Sequence, residues 1–385
     1  MKKITSLIIT AVLIFSLVTV FAAAAPSSES VNTEGLSVNA KSALLMEAST
    51  GKILYSQNEE YYNSPASVTK IMTLLLVCEA LAEGRYKLED TVCISEYASS
   101  MGGSQVFLKE GERLSVEELL KCTVIASAND AAVALAEHTE GSEAAFVSKM
   151  NEKAGELGLK KTSFENVTGL DDDTVEHYTC AYDIAVMSRE LIKHDIITKY
   201  SSLWQDSIRN GEFILTNTNR LVRFYDGCNG LKTGSTDKAG FCISVTAKRG
   251  DMQLIAVIMN ADTITERNNS ARALLDYGFS NYALYKYEAE ELEKTPVLFG
   301  KRDFLTIRAL PFSAVVKRSE LSKVEAFFDL PENVCAPVAE GQKVGSVTFK
   351  LAGEIIGTSD VVSCGSVERI SFFEVFLKML KNIFI

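Results

Sequence analysis

Pro65-Ala66-Ser67-Val68-Thr69-Lys70 leads straight into apolar positions at Ile71, Leu74, Leu75, Cys78 and Leu81. That spacing predicts a helix, and Pro65 suits its start. Ser67 and Lys70 then share one helical face, three residues apart, where their side chains can touch. A serine hydroxyl is a poor nucleophile at neutral pH and needs an adjacent base. A lysine serves as that base only if burial or a neighbouring cation lowers its pKa. Backbone N–H groups at the helix start also suit a developing oxyanion. Ser-x-x-Lys alone says little, because it occurs at Ser49/Lys52, Ser67/Lys70 and Ser235/Lys238, against about one or two by chance. Ser49-Thr50-Gly51 reads as a tight turn and Ser235 to Lys238 as a Gly-bounded loop, so only Ser67 opens a helix.

Two further patches follow in order. Ser127-Ala128-Asn129 breaks a helical pattern that runs through Leu119, Leu120, Val124 and Ile125 and resumes from Ala131 to His138. Such a break can project side chains into a cleft, or simply cap a helix, since Ser and Asn suit both tasks. There Ser127 could pass a proton between Lys232, Lys70 and a leaving amine, and Asn129 could hold a lysine or a substrate amide. Ser30-Val31-Asn32 and Ser37-Val38-Asn39 match the same pattern but lie in a polar stretch near the N-terminus. Lys232-Thr233-Gly234 occurs once. A strand edge there would pair with an extended peptide, and Gly234 would let that peptide approach. Lys232 and Thr233 suit a terminal carboxylate, Lys232 supplies the cation that lowers Lys70, and the Ser235 N–H is a second candidate oxyanion donor. Three patches, each on a suitable element, point to serine acylation where each alone would not.

Working outward, Ser42–Met46 and Lys52–Tyr55 read as a hairpin, and residues 115–200 as mostly helical. Phe241–Val245 and Leu254–Met259 read as paired strands around Arg249-Gly250-Asp251, and Arg267–Gly278 as a closing helix. The expected fold class is α+β: one antiparallel sheet flanked by helices, with a small all-β C-terminal domain and an amphipathic tail helix. The expected boundaries are a signal peptide at 1–24, a catalytic domain at 26–281, a Glu- and Tyr-rich linker at 282–296, the β domain at 297–365 and the tail at 366–385.

Lys2 and Lys3, an apolar run from Ile4 to Phe21 and Ala22–Ala25 have the form of a secretory signal. The net charge of −11 becomes −13 once those two lysines leave with a segment that holds no acid. So acidic a chain is ill suited to nucleic acid, which needs a basic footprint. The eight cysteines are permitted disulfides by export, but Cys78, Cys122 and Cys242 lie in apolar runs and read as core. No C-x-x-C occurs and the three histidines are scattered, so no metal or other cofactor is expected. In the tail, Ile370, Phe373, Phe376, Leu377, Leu380, Ile383 and Phe384 mark a broad apolar face against Ser371, Glu374, Lys378 and Lys381. Charges interrupt every apolar run, which predicts a helix lying in a membrane interface rather than spanning it.

The three patches resemble those of the penicillin-binding proteins and serine β-lactamases. Asn229–Phe241, Asn166–Asp171 and the His177-Tyr178 to Tyr182-Asp183 stretch are similar to the low-molecular-mass D-alanyl-D-alanine carboxypeptidases, and so is the layout. The resemblance implies removal of the terminal D-alanine from peptidoglycan stem pentapeptides, with β-lactams as covalent inhibitors. It implies Ser67 as acylated nucleophile, Lys70 as proton acceptor, and Ser127, Asn129 and Lys232 as the proton network. Thr233 and Arg267 would clamp the substrate carboxylate, and Ser99–Ser104 would be a mobile loop beside the site. Attachment to the outer face of the cytoplasmic membrane through the tail is implied as well. Some relatives carry His where this chain has Ser235, so no imidazole role transfers. A β-lactamase of class A would need a Glu-x-x-Leu-Asn segment, which is absent between Asp130 and Lys232. A non-catalytic wall-binding protein would not need Ser67 and its lysines.

Overall fold

The computed structural model describes residues 36–171 and 174–383, with side chains to residue 377. The expected signal segment, Ser30-Val31-Asn32 and the side chains of Leu380, Ile383 and Phe384 lie outside the described residues.

Five strands form one antiparallel sheet: β1 (Ser42–Glu47), β2 (Ile53–Gln57), β3 (Cys228–Thr236), β4 (Gly240–Arg249) and β5 (Met252–Ala261), in the order β2-β1-β5-β4-β3. The β1–β5 pairing sets Leu45 opposite Ala256 and joins the two expected strand pairs into one sheet. Both faces are covered, which is why β1 and β5 read as apolar runs rather than alternation. On one face, Leu44, Met46, Ile255, Val257 and Met259 enter a core with α1 (Lys70–Ala82), α2 (Val116–Ile125), α3 (Asn129–Glu140), α4 (Glu143–Glu156) and α5 (Ala181–Leu191). On the other, Ala43, Leu45, Leu254, Ala256 and Ile258 pack against Ala271, Leu274 and Leu275 of α6 (Ile264–Asn281). The topology leaves β3, which carries Lys232–Gly234, at the sheet edge.

Ser67 sits in a single 3-10 turn, Ala66–Thr69, that runs into α1. The chain enters that turn through Ala66 at φ +47°. α2 begins with a reciprocal Ser115–Glu118 capping box and ends at Ala126. The following break holds Ser127 at φ +62°, a conformation that costs energy in a residue with a Cβ.

Beyond α6 the expected linker is a correction. Tyr282–Tyr287 follows the helix directly as a strand, antiparallel to Phe312–Lys317, and Glu290–Glu291 and Thr295–Leu298 are strands too. The glutamates mask a period-two signal: the Tyr285 and Tyr287 rings both pack on Phe349. The rest of the region is all-β as expected. Its main sheet runs Glu290–Glu291, Ile307–Ala309, Glu354–Ser363, Lys343–Leu351 and Val324–Asp329, and it has its own core around Val347, Phe349 and Val361. The tail helix, α7, spans Phe372–Ile383 rather than starting at 366. Val367 and Arg369 are instead drawn into bridges with Val338 and Gly300, which hold the chain extended. Among the described residues no helix is long and apolar enough to cross a membrane, and all eight cysteines are unpaired.

Candidate active site

The three sequence patches converge on one cavity of about 650 Å³, lined by Ser67, Ser104, Ser127, Thr233, Gly234, Ser235 and Arg267 among others. Ser67 is half-buried at its floor, with Lys70 fully buried beneath it. The Lys70 Nζ lies 3.0 Å from the Ser67 Oγ, 2.6 Å from the Asn129 Oδ1 and 2.8 Å from the Thr168 carbonyl. The last two partners can only accept. The Asn129 amide is oriented by its Nδ2, which donates to the Gly102 carbonyl at 2.7 Å. An uncharged amine has two N–H groups and one lone pair. Both N–H groups are used by Asn129 and Thr168, and the lone pair is left facing the serine hydroxyl.

Electrostatics favour that uncharged state. Burial pushes the Lys70 amine well below the ordinary lysine range; the charge of Lys232 adds to this, and Asp130 opposes it. The Asp130 carboxylate is occupied by the N–H groups of Val106 and Leu108, at 3.1 and 3.0 Å. Lys232 is itself held down to about 7, first by burial and then by the Arg267 charge. Its Nζ donates to the Ser127 Oγ at 2.7 Å and the Thr233 carbonyl at 2.9 Å. Each pocket thus pairs one lysine with one serine.

Gly234 explains the need for a glycine in the third patch. A Cβ there would lie 2.8 Å from the Ser67 N and 3.0 Å from the Val68 N, in the space an oxyanion would occupy. Ser235 follows at the exposed mouth of the cavity. Thr233 donates from Oγ1 to the Thr218 Oγ1 at 2.8 Å. Arg267, in the first turn of α6, is buried and lines the same end; burial lowers its guanidinium only to about 10, so it stays charged at neutral pH. Ser104 of the expected loop lines the cavity, and its carbonyl accepts from the Asn129 N–H at 2.7 Å.

Of the other two Ser-x-x-Lys matches, Ser49 to Lys52 lies away from the cavity and Ser235 only reaches its mouth. Ser49 binds the buried Glu47 carboxylate and Lys52 donates to the Val315 carbonyl, while Ser235 to Lys238 span the end of β3 and its turn. Sequence reasoning missed Thr168, Thr218, Arg220, Trp204 and Phe224. Thr168 acts through its backbone carbonyl, which leaves no mark on residue type. The other four line the cavity from a segment whose short strands, Gln205–Ile208 and Phe213–Thr216, carry no motif. His177, quoted only for its resemblance, supports the turn. Its Nδ1 accepts from the Glu165 N–H, so the proton is on Nε2, 2.8 Å from the Thr69 Oγ1.

Comparison with known proteins agrees with this geometry. The family model described as D-alanyl-D-alanine carboxypeptidase matches residues 27–263. The chain belongs to the D-alanyl-D-alanine carboxypeptidase family. A second model, the C-terminal domain of penicillin-binding protein 5, matches residues 279–369. D-alanyl-D-alanine carboxypeptidase DacF of Bacillus subtilis is 42% identical over 98% of this chain and 97% of its own length. Penicillin-binding protein 5 of Haemophilus influenzae aligns with a TM-score of 0.75 at 31% identity, covering 86% of this chain and 98% of that one. Penicillin-binding protein D2 of Listeria monocytogenes, solved in an ampicillin-bound form, aligns at 0.59 and 30% identity over 63% of this chain and 99% of its own. The chain is a hydrolase that acts as a D-Ala-D-Ala carboxypeptidase, and its fold is the α+β one expected.

Proposed function

We propose that this carboxypeptidase cleaves peptidoglycan stem pentapeptides through an ester on Ser67, with Lys70 as the base. The observation that carries the reading is the Lys70 amine, whose two N–H groups are engaged by Asn129 and Thr168 while its lone pair faces Ser67. The Ser67 Oγ attacks the carbonyl of the penultimate D-alanine and its proton passes to Lys70. The oxyanion is met by the N–H groups of Ser67 and Ser235. The C–N bond then breaks, and the departing D-alanine amine takes the proton held on Lys70 through Ser127, which Lys232 orients, so that Lys70 is free again as a base. Arg267 and Thr233 hold the terminal carboxylate beforehand. Water later attacks the ester and releases the shortened peptide, with the proton returning through Lys70.

A β-lactam presents the same carbonyl and carboxylate, but its amine stays tethered to the acyl group after ring opening. The ampicillin-bound Listeria relative supports covalent trapping here. A β-lactamase reading is disfavoured by Glu165, whose carboxylate accepts from the Val175 N–H and does not line the cavity. Fluorescent penicillin tests the proposal: stable labelling is expected, lost in Ser67→Ala, and unchanged labelling of that variant refutes it.

The same reading places the enzyme outside the cytoplasm. It would be exported by the segment at 1–24, just ahead of the family match, and held peripherally on the membrane by α7. Support comes from Phe372, Phe373, Phe376 and Leu377, all exposed on that helix. The division into a catalytic domain at 26–281 and a β domain is part of the proposal, with the linker given up.

A further inference from the structure

We infer that the turn bearing Phe299 and Phe304 is a second lipid-contacting element beside α7. The C-terminal region would then rest on the bilayer through two apolar surfaces instead of hanging from a tether. The inference rests on the membrane attachment proposed above. Thr295–Leu298 pairs with Phe304–Leu305, with Pro296 opposite Phe304. Along that strand Thr295 and Val297 are buried while Pro296 and Leu298 are exposed, so Pro296, Leu298 and Phe304 share the outer face. Phe299 follows at φ +59°, costly for an aromatic residue, with its ring 60% exposed; Phe304 is 57% exposed.

The turn is stitched to the chain that enters α7. The Phe299 carbonyl accepts from the Ile370 N–H at 2.8 Å, and the Lys301 N–H donates to the Glu368 carbonyl at 2.9 Å. The Lys301 ammonium is 2.7 Å from the Glu368 carboxylate and 3.6 Å from that of Glu374. Phe299 is therefore bonded two residues before Phe372, which is 88% exposed, and Phe373, which is 69% exposed. The turn and the helix that carry these exposed aromatics are thus joined through the Glu368–Ile370 segment. Lys301 pairs with Glu368 and Glu374, and the Arg369 guanidinium lies 5.8 Å from the Phe299 ring centroid. Aromatic rings with a cation at the rim suit the boundary between acyl chains and anionic headgroups.

Sedimentation with phosphatidylglycerol–phosphatidylcholine vesicles tests this on the chain from Pro26 onward. Phe299→Ser/Phe304→Ser should weaken partition by about tenfold with penicillin labelling unchanged. Phe299→Trp should add a fluorescence component that shifts to the blue on vesicles. Deletion of residues 372–385, which keeps the Glu368–Ile370 segment that holds the turn, separates the two ideas. Loss on deletion with no change in the double variant overturns the turn's role and leaves the tail reading standing. Loss in the double variant with full partition after deletion supports the turn and ends the tail reading. A dimer dissolved by the double variant, with vesicle partition unaltered, also overturns the inference.

Discussion

One amine and its three neighbours carry the chemistry. Lys70 acts because acceptors use up its N–H groups and Lys232 makes a second charge costly. Lys70→Arg keeps the charge but cannot supply a lone pair at neutral pH; penicillin acylation should fall by about 10³-fold or more, read from labelling kinetics. Acylation should also rise with pH as the proton leaves the Lys70–Lys232 pair. Burial lowers both amines, helped at Lys70 by the Lys232 charge and at Lys232 by the Arg267 charge, so the rise belongs around or below neutral, not near 10. A labelling rate that climbs only above pH 9 would refute this. Gly234→Ala should slow acylation by about 10²-fold and lower Tm as well, since the added methyl would lie 2.8 Å from the backbone N of Ser67 and must displace it. His177 gives a stability signal. Burial lowers it to about 4, so the unfolded chain binds its proton first as pH falls. The stabilisation is present above pH 6.5 and is lost between there and 4, worth about 3 kcal/mol in all. His177→Gln should flatten the fall of Tm over that range.

At the scale of elements, the active serine depends on contacts between segments distant in sequence. The Ala66–Thr69 turn is gripped from one side by β3 and from the other by the Thr168-Gly169 loop. Gly169 is at φ +84°, and a Cβ there would lie 1.7 Å from the Ala66 carbonyl. Gly169→Ala should therefore cost about 3 kcal/mol or more and weaken labelling together with Tm, with a larger drop in Tm than Gly234→Ala. The Thr236 Oγ1 donates to Asp171 at 2.5 Å and ties the same loop to the end of β3. The elements themselves were legible. The hairpin, α1, the break before α3 and the β4–β5 pair announce themselves through local spacing and turn residues. The strand Tyr282–Tyr287 was not, because a Glu-rich stretch follows it at once and Tyr285 and Tyr287 gain meaning only when Phe349 is opposite them. The start of α7 was also misplaced, since bridges to Val338 and Gly300 are made by residues far along the chain.

For the whole molecule, catalysis and the proposed attachment fall on different parts of the chain. The cavity is lined by residues between Ser67 and Arg267, so the sheet and its helices form the cleft. Removing residues 366–385 should release the protein from membranes while leaving hydrolysis of a soluble D-Ala-D-Ala peptide intact. Retention in the membrane fraction would remove the tail from the proposal.

From residue order alone came the serine, the lysines, the asparagine, the glycine, the family and the α+β class, because these are properties of local spacing and side-chain chemistry. Folding alone decided which acceptors hold Lys70, that Thr168 takes part through its backbone, and that Gly234 faces the nucleophile's own N–H. Those facts arise from burial and from distances between segments 59 or more residues apart, and neither is written in any single stretch of the chain.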